Sequence, residues 1–183
     1  MQSELVDVAQ DLFARDGYEA VTIDQIAAAA GMSKRSFFRY FPSKDALVLG
    51  KYDREGERFA AALAARPVSE SPWEALRRMF DHTVAYISDP ELARRANELM
   101  QVIDGSSTLR AGYLERMERA QQTVVTVLRQ HSGDRLSTLE SSALVAAAFA
   151  AIAAAHTHSL ATGEDLASAL DQAMLAIANG TAR

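Results

Sequence analysis

The chain of 183 residues contains no cysteine, which excludes disulfides, thiolate metal sites and a cysteine nucleophile. Prolines number only four, and Pro72 and Pro90 directly follow Ser71 and Asp89. Each of these two suits a first helical position, where the missing N–H costs nothing. Sustained polar–apolar alternation is absent and β-branched residues are scattered, so there is little from which to build a sheet. The longest apolar run, Ala143 to Ala155, has 13 residues and is mostly alanine. A bilayer span needs roughly 20 residues. The run therefore reads as a buried helix, and no membrane partner is expected. The first residues include Glu4, Asp7 and Asp11 rather than a basic-then-apolar secretion signal, so a cytoplasmic location is expected.

Enzymatic signatures are missing too. No Gly-rich phosphate loop or nucleophile elbow occurs. The histidines are His82, His131, His156 and His158, with no His-x-x-x-His pair among them. On a helix, His156 and His158 point about 200° apart and cannot chelate one ion. No enzyme activity, metal or cofactor is expected.

What the chain does have is helix starts. Thr22 with Gln25, Ser71 with Glu74 and Ser137 with Glu140 fit the capping-box spacing, and Ser33 and Ser43 suit N-caps. The pattern predicts an all-α fold of about nine helices, near 2–16, 22–29, 33–39, 43–65, 72–88, 90–103, 107–131, 138–161 and 164–179. The formal net charge is −5, unpromising for nucleic acid, but its distribution is uneven. Between Ser33 and Lys51, Lys34, Arg35, Arg39, Lys44 and Lys51 face only Asp45, while residues 67–183 hold 10 basic and 14 acidic residues. A local positive patch on an acidic body can hold DNA through one face.

The patch lies on two short helices separated by Gly31. Leu5, Val8, Ala9, Leu12 and Phe13 form an apolar stripe on the first helix. Ile23, Ile26 and Ala27 continue the core, and Met32 and Phe37 bring in the third helix. Ser33, Lys34, Arg35, Ser36, Arg39 and Tyr40 are left facing outward. Alone they would suit a solvated face. Thr22, at the start of the second helix, and Lys44, at the start of the fourth, add two phosphate-binding elements beside them. Three such elements around one short helix favour a helix–turn–helix that enters a DNA major groove. One such helix reads few base pairs, so a homodimer spanning two half-sites is expected.

This stretch resembles the tetracycline-repressor (TetR) family of bacterial regulators. The matching residues run from Leu12-Phe13 through Gly17-Tyr18, Val21-Thr22, Ile26-Ala27, Ala30-Gly31 and Ser33 to Phe41 and Ser43-Lys44-Asp45-Ala46-Leu47. The resemblance implies base reading by Lys34, Arg35, Ser36 and Arg39, with phosphate contacts from Thr22, Tyr40 and Lys44. Phe38 departs from the tyrosine common in the family. It offers only packing or an apolar contact to sugar or a thymine methyl.

Residues 1–46 are thus expected to bind DNA, and 47–183 to bind an effector and dimerise. The helix at 138–161 is apolar nearly all round, with Leu144, Val145, Phe149 and Ile152 among alanines. It is either covered by a second subunit, together with the last helix, or is a central core helix of one chain. The resemblance favours the first. A Met and aromatic set between these elements reads as core, but the resemblance places an effector pocket there. The candidates are Phe80, Tyr86, Met100, Ile103, Tyr113, Met117, Gln121, Phe149, Ile152 and His156. Their character suggests an apolar or amphipathic effector. Leu-Arg-Ala-Gly-Tyr-Leu-Glu-Arg at 109–116 resembles the subgroup that takes acyl-CoA-like ligands, although the subgroup's proline is Thr108 here. The expected function is a repressor released from a near-palindromic double-stranded operator by such an effector. The alternatives are a constitutive DNA-binding dimer and an all-helical small-molecule-binding protein or enzyme.

Overall fold

The computed structural model describes residues 2–133 and 135–180. These form ten helices and no strand: α1 (Gln2–Asp16), α2 (Ile23–Ala29), α3 (Lys34–Tyr40), α4 (Lys44–Ala64), α5 (Pro72–Met79), α6 (Asp81–Ser88), α7 (Pro90–Asp104), α8 (Ser107–His131), α9 (Thr138–Thr162) and α10 (Leu166–Gly180). The tenth arises because the helix expected over 72–88 is interrupted at Phe80, whose N–H turns back to the Arg77 carbonyl at 3.2 Å. No glycine or proline marks that point. The chain tightens where the Phe80 ring is buried against Phe59 and Phe149, with centroids 5.5 and 5.4 Å away.

The three capping boxes form as their spacing predicts. At Thr22, Ser71 and Ser137 the hydroxyl accepts the N–H three residues on, and the Gln or Glu there reaches back to the cap N–H. Each satisfies donors that a helix start leaves orphaned.

Two compact units are present. The first takes in the chain as far as Arg54, and again Arg94–Arg116. Its core joins Leu5, Ala9 and Phe13 of α1 to Ile26 of α2, Phe37 of α3, Leu47 of α4, Leu99 and Ile103 of α7 and Leu109 of α8. The buried Ser106 hydroxyl donates to Glu19 at 2.6 Å, fastening the α7–α8 turn to the α1–α2 connection.

The second unit comprises Glu55–Ala93 and the described residues from Met117 onward. Ala75, Leu76 and Met79 of α5 pack there with Val145, Ala148, Ala151 and Ala155 of α9 and Leu166, Leu170 and Met174 of α10. Gly56 lets α4 and α8 approach closely, since a Cβ there would lie 3.0 Å from the Ala120 Cα. Gly163, at φ +76°, closes α9 and starts the turn into α10. By length and composition alone α9 could cross a membrane. In the fold, however, one face of it is buried in this core, while Ala143, Ala146, Ala150, Ala153 and Ala154 are exposed opposite. A helix covered on every side within one chain is therefore not what the structure shows.

Candidate nucleic-acid interface

α2 and α3 are positioned by local chemistry at their junction. Gly31 adopts φ +66°, a left-handed conformation that glycine tolerates without strain. Around it Met32 N–H donates to the Ala27 carbonyl at 2.9 Å and Gly31 N–H to that of Ala28 at 3.1 Å. The reversal thus satisfies the carbonyls that end α2. Ser33 then caps α3, its Oγ accepting the Ser36 N–H at 3.1 Å and lying 3.0 Å from the Ser36 Oγ.

Phe37 is fully buried and fixes the rotation of α3 about its axis. With that residue inward, Lys34, Arg35, Phe38 and Arg39 are exposed, and Ser36 and Tyr40 are half-buried beside them. Phe38 keeps 46 % of its surface accessible, with its ring edge-on to Phe37 at 5.6 Å.

The polar groups of this face differ in how they are held. The Lys34 ammonium pairs with Asp24 at 2.9 Å. The Arg39 guanidinium lies 5.1 Å above the Tyr40 ring and donates to its hydroxyl at 3.3 Å. Arg35 carries no side-chain hydrogen bond or ion pair to any described residue and stands ready for an external acceptor. Thr22 is exposed at the start of α2, with its hydroxyl donating to Gln25 at 2.9 Å.

Lys44 behaves differently from these. It is half-buried, its Nζ donating to the carbonyls of Tyr18 at 2.7 Å and Val21 at 2.8 Å while lying 4.1 Å above the Tyr18 ring. The Tyr18 hydroxyl in turn donates to Asp45. Burial first, and then the Asp45 carboxylate, push the Tyr18 phenol far above its usual range, so it stays a donor. The two carbonyl bonds of Lys44 leave one ammonium proton uncommitted. The other two staple the α1–α2 connection, and hence Thr22, to the first turn of α4. Charge-assisted bonds of this kind contribute roughly 1.5–3 kcal/mol each. Lys44→Ala is therefore expected to lower the stability of the folded chain measurably, alongside a loss of DNA affinity common to all sequences. A urea titration of Lys44→Ala beside Arg35→Ala checks this, because the exposed Arg35 should leave the midpoint unmoved.

The expected effector residues fall into both compact units. In the first, the Tyr52 hydroxyl meets Met100 Sδ at 3.4 Å, the Tyr113 ring stands edge-on to Tyr52 at 4.9 Å, and Ile103 is fully buried. In the second, Phe80 and Phe149 meet at 5.4 Å around Phe59, and Ile152 packs on the same cluster. Met117, Gln121 and His156 are half-buried, whereas Tyr86 is exposed. The His156 Nε2 is buried without a hydrogen-bond partner, and burial pushes its imidazole below the usual value, so it is neutral at pH 7. A shallow depression lined by Val68, Pro72, Glu74, Ser132 and Leu136 holds none of these candidates.

Asp24 and Tyr18 are functional neighbours that sequence reasoning missed. An acidic residue in a first helical turn is favoured by the helix dipole alone, and nothing local links it to a residue ten positions away. Gly17-Tyr18 belongs to the stretch that carries the resemblance, but nothing local links Tyr18 to Lys44 or Asp45.

An exposed cationic face on a short helix, held by a glycine turn and two caps, defines a helix–turn–helix unit. Residues 5–50 match the family described as bacterial regulatory proteins, tetR family, and residues 70–182 match the MftR C-terminal domain. The chain belongs to the TetR family, with an MftR-type C-terminal domain. It is 32 % identical over 136 residues to the HTH-type transcriptional regulator TcmR of Streptomyces glaucescens, covering 72 % of this chain and 60 % of that protein. To the transposon Tn10 TetC protein of Escherichia coli it is 33 % identical over 85 residues, covering 46 % of this chain and 43 % of that one. The chain thus spans about half the length of the curated relatives it matches. The fold is also that of the Thermus thermophilus FadR repressor solved with lauroyl-CoA, with TM-score 0.59 and 19 % identity over 98 % of this chain and 94 % of that one.

Proposed function

We propose that the chain is a sequence-specific DNA-binding regulator that acts in the cytoplasm as a homodimer on a near-palindromic operator. The observation that carries the reading is the α3 face, where Lys34, Arg35, Phe38 and Arg39 stand exposed together. Ser33, Ser36 and Tyr40 flank it, and Thr22 and Lys44 are the phosphate contacts at its margins. Recognition helices of this kind place their first residues against base edges. In this reading residues 1–46 read DNA, while 47–183 dimerise through α9 and α10 and bind the effector. The exposed alanines of α9, with Leu175 on α10, are the apolar face that a second copy would cover across a two-fold axis.

Release by an apolar or amphipathic effector completes the proposal. Phe80, Phe149 and Ile152 offer an apolar wall, and the unpaired His156 nitrogen offers a polar anchor. Met100, Ile103, Tyr113, Met117, Gln121 and Tyr86 are the further candidates. The lauroyl-CoA held by the FadR neighbour suggests a long-chain acyl thioester. α4, which contributes residues to both compact units, is the continuous element along which such binding would act. An effector shifts the DNA-binding equilibrium only by its differential affinity for the two states.

The test is fluorescence anisotropy on a duplex enriched from a randomised pool by the purified chain. Micromolar lauroyl-CoA is expected to release the labelled duplex. A complex indifferent to acyl-CoA of any chain length would favour a constitutive regulator. One observation supports that second reading: the Phe59, Phe80 and Phe149 rings already fill the space between them, at 5.4–5.5 Å.

A further inference from the structure

The Asp24–Lys34 pair sits where a DNA-binding surface can least accommodate a carboxylate. Both side chains are more than half exposed, so the pair contributes little to stability. It also cancels one of the cations on α3, so it adds nothing to general attraction for phosphates. Its remaining property is its pattern: an ammonium donor and a carboxylate acceptor 2.9 Å apart, with Lys34 at the first position of α3.

We propose that Asp24 and Lys34 together read one G·C pair in each half-site. In the major groove guanine presents two convergent acceptors, O6 and N7, and its cytosine partner presents the N4 amino donor beside them. Lys34 donates to the guanine acceptors, and Asp24 accepts from cytosine N4. An A·T pair has no such doubled acceptor, and where cytosine has its N4 donor thymine presents the O4 acceptor, which a carboxylate cannot pair with. Asp24 has a further effect on non-operator DNA. A loosely held complex leaves the ion pair intact and the carboxylate facing phosphates, so the penalty falls on wrong sequences. This inference rests on the proposed reading of DNA by α3.

Selection from a randomised duplex pool by the wild-type chain, Asp24→Ala and Lys34→Ala tests it. The wild type is expected to enrich one G·C position in each half-site. Both variants should lose that preference by roughly five- to a hundredfold while keeping the other positions. Thermal melts of the variants should match the wild type, since both side chains are exposed. Identical base preferences in all three proteins, with Asp24→Ala only binding every sequence more tightly, would overturn the proposal and make Asp24 a solvated partner of Lys34. A wild-type chain that enriches no sequence would remove the α3 reading and this inference with it.

Discussion

Arg35→Ala is expected to weaken binding to the enriched operator by about 1–3 kcal/mol and to relax base preference at one position of each half-site. The reason lies in how the α3 face is held. Lys34 is tied to Asp24, Ser36 lies against Ser33, and Arg39 rests on Tyr40. Arg35 makes no such commitment within the described residues, so it loses no internal partner when it meets a guanine. Its planar fork also matches the O6 and N7 acceptors in a bidentate way. Competition binding against a panel of single-base operator variants checks this. A uniform loss on all duplexes would assign Arg35 to the phosphate backbone.

If α9 carries the proposed dimer interface, Ala150→Glu is expected to leave the chain monomeric and to reduce affinity for the full operator by about 10²–10⁴, the usual gain from joining two binding modules. Ala150 lies on the α9 face that the chain itself leaves uncovered, so a carboxylate there is solvated in the monomer. Across a two-fold axis the same carboxylate would be buried without a partner and would approach its own copy, which costs several kcal/mol. Sedimentation velocity gives the mass and circular dichroism the folding. A folded dimer carrying Glu at this position would place the interface elsewhere.

The features that were legible in the sequence are those set by short-range chemistry. Capping boxes at Thr22, Ser71 and Ser137 depend on a partner three residues on, and all three formed. The reversal follows from the left-handed backbone that Gly31 tolerates, and the outward turn of Lys34, Arg35 and Arg39 from one buried residue, Phe37, in a seven-residue helix. The break at Phe80 was not legible, because it comes from aromatic packing against residues 21 and 69 positions away. The head group of Lys44 reaches carbonyls 26 and 23 positions back, which no local rule anticipates. Nor could composition tell which side of α9 would be covered, since alanine lies on both.

In the proposed function, two copies of the α3 face read DNA together. Hydroxyl-radical footprinting of the wild-type chain on its enriched duplex tests it most directly. Two protected stretches related by a two-fold axis are expected, their centres one helical turn apart or a multiple of it, about 34–36 Å per turn. Protection should fade steeply as salt rises, because cations at this face displace counterions. A single protected half-site, or protection insensitive to salt, would contradict it.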